Sequence, residues 1–200
     1  MRFDEKDFYA ERYNRAHFAA GGGVRPVAFR GLYLNGTDGF MSIEYHSETK
    51  GGLQLTSEFT MMMWFRADAN NNQKGTLLAK HRTAGGAVDE VITWKVNLTA
   101  PTTGTLEARL NDLEGYSCDI PLTFARWHIA LYYLKVDGNN SEMGCSAKIR
   151  ESALQSGTPV TILNYNFFDE LDNFAFVGKQ IDTSDISSNL DFYSGFIREL

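Results

Sequence analysis

Hydrophobic side chains in the middle of the chain alternate on both faces of a predicted strand. Residues 126–138 read RWHIALYYLKVDG and end in an Asp-Gly step that suits a tight turn. Leu131 and Tyr133 fall on one face of that strand, and Tyr132 and Leu134 fall on the other. A strand that is apolar on both faces needs cover on both faces, so the pattern predicts a central strand of a layered β structure.

The same double alternation recurs in residues 58–66, which read EFTMMMWFR, and shorter apolar runs follow along most of the chain. Turns rich in glycine and asparagine separate about a dozen such runs, and no helices alternate with them. This organisation predicts an all-β sandwich or jelly roll. The one helical candidate is residues 4–20, where Tyr9, Tyr13 and Ala16 recur at helical spacing before three glycines.

Composition and charge narrow the classes of function. The chain has 200 residues, 43% of them hydrophobic, which suits the core of one large domain. Its 19 basic and 25 acidic residues give a net charge of −6, and no basic cluster with interleaved aromatics is visible, so we expect no nucleic-acid partner. No apolar run approaches the roughly 20 residues of a membrane span, and no signal peptide opens the chain. The strand-like pattern runs to the last residue, which favours a piece of a longer protein.

Seven stretches in order resemble the laminin-G-like domains of the concanavalin A-like lectin and glucanase superfamily. They are residues 31–43 (GLYLNGTDGFMSI), 59–66 (FTMMMWFR), 77–80 (LLAK), 127–133 (WHIALYY), 136–138 (VDG), 176–178 (FVG) and 192–200 (FYSGFIREL). The resemblance implies a two-sheet antiparallel jelly-roll sandwich over residues 29–200, preceded by a helical or linker segment over residues 1–28. It also implies that residues 32–34 lie beside residues 196–198.

The resemblance implies a function in recognition. Such domains are mostly secreted or cell-surface binding modules for carbohydrate or protein, often with calcium. We therefore expect a non-catalytic recognition or adhesion module, with a glycan or protein ligand, in a larger extracellular protein. Two alternatives stay open: a glycoside hydrolase of the same fold class, and an intracellular structural module in a larger assembly.

Catalysis by the hydrolases of this fold class depends on the motif Glu-x-Asp-x-Glu on one strand, because hydrolysis needs two carboxylates across the sugar. The nearest match begins at Glu170 and Asp172, with Asp169 just before it, and Phe174 stands where the third acid belongs. We therefore expect no catalytic residue here. His128, in the Trp-His pair, is expected to be structural, and the four histidines lack metal-ligand spacing.

Calcium binding is the remaining possibility for a cofactor. Domains that resemble this one hold calcium at a sandwich rim through aspartates and backbone carbonyls, and the candidates are Asp38, Asp137 and Asp185. Asp182 and Asp191 also lie at predicted loops. The alternative is that these are ordinary solvated turn acids, because aspartate favours turns.

Two cysteines and three sequons bear on the compartment. Cys118 and Cys145 allow a single pairing, and the secretion that the resemblance implies favours a bridge over two buried thiols. Asn35, Asn97 and Asn139 each begin an Asn-x-Ser/Thr sequon, and Asn35 and Asn139 lie in predicted turns. Glycosylation at these three sites is an expectation, and ordinary polar turn residues are the alternative.

Overall fold

The structure is a computed structural model that describes most of the chain. The described residues are 17–28, 30–44, 58–68, 74–84, 87–110, 117–137, 140–149, 152–163, 173–182 and 185–199. Within these ranges the chain forms strands and turns and no helix. The described residues accordingly include no helix with the length and apolar character that crossing a membrane requires.

Seventeen strands run through the described residues. In chain order they are β1 (His17–Gly21), β2 (Arg25–Val27), β3 (Gly31–Asn35), β4 (Phe40–Glu44), β5 (Phe59–Ala67), β6 (Lys74–Ala84), β7 (Ala87–Ala100), β8 (Thr103–Leu110), β9 (Ser117–Thr123), β10 (His128–Asp137), β11 (Asn140–Ile149), β12 (Gln155–Ser156), β13 (Val160–Leu163), β14 (Asn173–Val177), β15 (Gln180–Asp182), β16 (Asp185–Leu190) and β17 (Ser194–Glu199). The strands at residues 126–138 and 58–66 therefore lie close to where the sequence pattern predicts them.

The strands form two large antiparallel sheets. Sheet A has the order β12-β11-β10-β5-β17-β3-β2, with β13 also paired to β11. Sheet B has the order β1-β4-β14-β6-β7-β8-β9, and β15 pairs with β16 alone. Strands distant in sequence are neighbours in both sheets, which is the topology of a jelly-roll sandwich and confirms the expected fold class. The pairing of Leu32 with Ile197, and of Leu34 with Gly195, confirms that the first and last strands of the resembling region are adjacent.

The core lies between the two sheets. Tyr132 and Leu134 of β10 are buried there, and the Tyr132 ring lies 6.2 Å from the ring of Trp94 in sheet B. Each such side chain contributes about 1.5–3 kcal/mol through burial. The side chains on the opposite face of β10 are less buried than the sequence pattern predicts. Leu131 and Tyr133 there are half-buried. Side chains of that outer face pack against their neighbours along the sheet.

The end of the predicted helix is a strand. Residues 17–20 belong to β1, which pairs with β4 over five residues, whereas residues 4–16 lie outside the described part. Pairing satisfies the backbone groups at the edge of β4, and this outweighs a weak local helical pattern. β2 likewise pairs with β3 in sheet A. The stretch 17–28 thus joins both sheets, although the sequence placed it in the segment before the sandwich.

Candidate functional site

A cavity of about 360 Å³ opens at one end of the sandwich, between sheets A and B. Strands β8 and β9 form one wall, and β10, β11 and β12 form the other. Its described lining comprises Thr99, Thr103, Gly104, Thr105, Pro121, Leu122, Thr123, His128, Ala147, Ile149, Ser152 and Gln155.

The β7–β8 turn builds the threonine side of the cavity. The Thr99 hydroxyl donates a hydrogen bond to the carbonyl of Thr103 at 3.2 Å and closes the turn. Gly104 follows in direct register with Leu122 of β9. A Cβ at position 104 would lie 2.1 Å from the carbonyl oxygen of Asn97, so this wall requires glycine at that position.

The opposite wall depends on the turn after β11. The Ser152 hydroxyl accepts a hydrogen bond from the backbone N–H of Ile149 at 3.1 Å and lies 3.0 Å from its carbonyl. This turn reverses the chain, and Gln155 of β12 then pairs with Ala147 of β11. An amide side chain thereby joins the cavity from the edge strand of sheet A.

His128 is the most buried polar side chain in the lining. It is 3% exposed, and its ring stacks on Phe65 with centroids 5.3 Å apart and an angle of 16° between the planes. Its Nδ1 lies 3.0 Å from the carbonyl oxygen of Arg126, which can only accept, so Nδ1 carries the hydrogen. Its Nε2 is buried without a hydrogen-bond partner. Burial lowers the pKa of His128 and outweighs the Arg126 carbonyl, which raises it, so Nε2 is a neutral acceptor.

The other lining groups are neutral as well. Hydroxyls of threonine and serine and the amide of Gln155 donate and accept hydrogen bonds, while Leu122 and Ile149 present apolar surface. No charged side chain is among the described residues that line the cavity. Such a site suits an uncharged ligand that forms hydrogen bonds with the threonine, serine and glutamine side chains and buries a small apolar surface.

Of the three calcium candidates, Asp38 is the one whose side chain is described. Asp38 lies in an exposed turn, and its Oδ1 accepts hydrogen bonds from the backbone N–H of Gly23 at 3.0 Å and from Nδ2 of Asn35 at 2.7 Å. The side chains of Asp137 and Asp185 lie outside the described residues. Within the described ranges, no three His, Cys, Asp or Glu side chains are placed to hold a metal ion together. Calcium binding stays a prediction.

The sequon asparagines have different surroundings. Oδ1 of Asn35 accepts hydrogen bonds from three consecutive backbone N–H groups, those of residues 37–39. Nδ2 of Asn97, in the middle of β7, donates to Glu107 of β8. Asn139 lies outside the described residues. Glycosylation at all three stays a prediction, and at Asn35 a glycan would have to coexist with a fully engaged amide.

The two cysteines lie on strands of different sheets, Cys118 on β9 of sheet B and Cys145 on β11 of sheet A. Cys145 of β11 is 2% exposed. Cys118, the chain's other cysteine, lies in β9 and pairs in register with Ala108, but its side chain lies outside the description. The bridge between Cys118 and Cys145 therefore remains a prediction.

The acids considered for catalysis, residues 169–172, lie outside the described part of the chain. Phe174 belongs to β14 and pairs in register with His81. Sequence reasoning treated His128 as structural and did not single out the threonines, because they come from separate turns with no shared motif. The sequence feature that could have drawn attention to His128 was its position at the start of a strongly apolar strand.

No family model matches the chain, and no curated protein matches it. The native heptameric SAP-like pentraxin from Limulus polyphemus has 11% identity and a TM-score of 0.46, over 95% of this chain and 70% of its own. The CBM2 module of the evolved Dit of Lactobacillus casei BL23 phage J-1 has 12% identity and a TM-score of 0.42, over 99% of this chain and 95% of its own. Similarity at this level assigns no ligand.

Proposed function

We propose that this protein is a non-catalytic recognition module whose end cavity binds a neutral, hydroxyl-rich ligand, a glycan segment. The observation that carries the proposal is a cavity whose described lining combines neutral hydroxyl and amide side chains with apolar surface. Each hydrogen bond that a ligand hydroxyl makes with these side chains contributes about 0.5–1.5 kcal/mol.

The remaining groups of the cavity support a sugar over an ion or a charged peptide. Sugars carry hydroxyls on their edges and apolar C–H groups on their faces, which matches threonine hydroxyls beside Leu122 and Ile149. A cation would require carboxylate ligands, and the described lining contains none. An anion would require a cation or several backbone donors, and the described lining has no basic side chain other than the neutral His128.

The same lining supports binding without catalysis. Hydrolysis of a glycosidic bond needs a carboxylic acid and a second carboxylate on either side of the sugar. His128 is held neutral, and no carboxylate accompanies it among the described lining residues. The proposal places the module in a larger extracellular protein, and the predicted disulfide and sequons are the features that support this placement.

The test is titration calorimetry with a panel of neutral oligosaccharides. Thr123→Val removes one rim hydroxyl at nearly constant shape, and Gln155→Leu removes the exposed amide of the opposite wall at similar size. We expect each to weaken binding about two- to tenfold, the value of one net hydrogen bond. Thr161→Val, an exposed threonine of β13, is the matched control and should bind normally.

Folding of each variant is checked by its thermal melt before binding is compared. Wild-type protein that binds no neutral oligosaccharide would reject the proposal. Equal affinities for Thr123→Val, Gln155→Leu and Thr161→Val would reject it too, since the sugar would then bind elsewhere.

A further inference from the structure

Two arginines and two aromatic rings form a row across the outer face of sheet A. Arg25 of β2 pairs in register with Tyr33 of β3, Tyr33 pairs with Phe196 of β17, and Phe196 pairs with Arg66 of β5. Direct partners in an antiparallel sheet project to the same face, so these four side chains are consecutive neighbours. We name them the arginine–aromatic row.

The side chains of the row are in contact. The rings of Tyr33 and Phe196 have centroids 5.0 Å apart. The guanidinium of Arg25 lies 4.8 Å from the Tyr33 centroid, and that of Arg66 lies 5.8 Å from the Phe196 centroid. Arg66 also donates from Nε to the carbonyl of Ala125 at 3.2 Å. Both guanidiniums are therefore held in place by the rings beneath them, at little further entropic cost on binding.

The outer face of sheet A is basic, although the chain carries a net charge of −6. The described cations whose positions fall on this face are Arg25, Arg66, Lys135, Lys148 and Arg198. The described carboxylates that fall on this face by the same alternation are Glu58, Asp68 and Glu142. Asp68 accepts a hydrogen bond from the hydroxyl of Ser194 at 3.2 Å, and Glu142 accepts one from the hydroxyl of Tyr133 at 2.8 Å, so the five cations still outnumber the described acids. Such a local excess of positive charge attracts an anionic partner.

The row has the shape of a platform. Arg25 and Arg198 are exposed, Met62 on the same face is 42% exposed, and Tyr33 and Phe196 are half-buried. Three strand spacings separate the backbones at Arg25 and Arg66, a distance of roughly 14 Å. An extended ligand with repeated negative charge can lie along the row and contact both guanidiniums and both rings.

A guanidinium stacked on a ring keeps its N–H edge available for the planar, two-pronged contact that a carboxylate offers. The backbone groups of β3, β17 and β5 are already paired on both sides, so an acidic peptide cannot add to them as a new strand. A polysaccharide has no backbone N–H groups to satisfy, and its sugar faces can pack on Tyr33 and Phe196. We propose that the arginine–aromatic row binds a polysaccharide that carries carboxylates, of the uronic acid class.

This site does not depend on the cavity, which opens at the end of the sandwich between the sheets. The test measures binding of polygalacturonate by biolayer interferometry to the full chain at low salt. Neutral dextran, dextran sulfate and polyglutamate are run as the uncharged, sulfated and peptide counterparts. Arg25→Gln combined with Arg66→Gln should weaken polygalacturonate binding at least tenfold, since each lost hydrogen bond to a charged group is worth about a factor of ten or more.

Two further variants test whether binding depends on the planar guanidinium groups of the row or on positive charge alone. Arg109→Gln removes one exposed positive charge from sheet B and should leave binding unchanged. Arg25→Lys keeps the charge but loses the planar fork, and we expect it to lose most of the affinity that Arg25→Gln loses.

Failure of the folded wild-type protein to bind polygalacturonate would overturn the inference. So would dextran sulfate or polyglutamate binding as tightly with the same dependence on Arg25 and Arg66, because the row would then recognise charge without the sugar. Thr123→Val in the cavity should leave polygalacturonate binding unchanged, so this result is separable from the test of the cavity.

Discussion

Acid should destabilise the fold through His81 in particular. This residue of β6 is fully buried, and its ring lies 6.3 Å from the ring of Phe176. Burial, followed by the nearby charges of Lys95 and Lys179, lowers the pKa of His81 from 6.5 to about 4. The folded protein therefore keeps this imidazole neutral over a pH range in which the unfolded chain binds a proton to it.

The direction in which pH changes the free energy of unfolding follows from proton binding to His81. Between pH 6.5 and pH 4 the unfolded state binds more protons at this site, so the free energy of unfolding falls as the pH is lowered through this window and is fully retained above it. With pKa values of 6.5 and about 4, the loss from pH 7 to pH 5 is about 2 kcal/mol. For a chain of this length that equals a drop of roughly 4–8 °C in Tm.

The measurement is urea unfolding at pH 7 and pH 5, followed by tryptophan fluorescence, on wild type and His81→Gln. Glutamine does not titrate, so the variant should lose about 2 kcal/mol less than wild type over this interval, whatever its stability at pH 7. The carboxylates and His128, whose pKa is also lowered, contribute equally to the loss of stability in both proteins. Their contributions therefore cancel in the difference between wild type and variant. Thr161→Val retains every titratable group and should show the wild-type loss. An identical loss in His81→Gln and wild type would refute this account, as would an NMR titration that places the pKa of His81 near 6.5.

Four further outcomes are expected. Asn35→Ala should lower the free energy of unfolding by about 1–3 kcal/mol in a denaturant titration, since three backbone N–H groups lose their acceptor. Unfolded, unreduced protein should show no reactive thiol if Cys118 and Cys145 are bridged, and reduction should cost about 3–4 kcal/mol; two reactive thiols would disprove the bridge. Deleting residues 1–23 should lower the Tm, because it removes β1 and leaves the edge of β4 unpaired; an unchanged melt would show that β1 contributes nothing. Purified protein should release no reducing sugar from β-glucans or galactans, and turnover that Glu170→Gln abolishes would establish a hydrolase.

Much of the fold could be predicted from local pattern. The alternation in residues 126–138 depends only on the period of a strand, so β10 was predictable from its own side chains. The family resemblance also implied that β3 lies beside β17, which the register of Tyr33 with Phe196 confirms. Local pattern failed at residues 17–20, where the partner that makes them a strand is β4.

The sites depended on the tertiary structure. The cavity is lined by residues of β7, β8 and β9 in one sheet and by His128 and residues of β11 and β12 in the other, and no local pattern joins them. Arg25, Arg66 and Phe196 are far apart along the chain, so the sequence shows no basic cluster, yet the crossovers of the jelly roll make them neighbours. Strand period is a property of adjacent residues and can be read locally. Which strands are neighbours is decided by the burial of two whole sheets against each other, and the cavity and the arginine–aromatic row both follow from that arrangement.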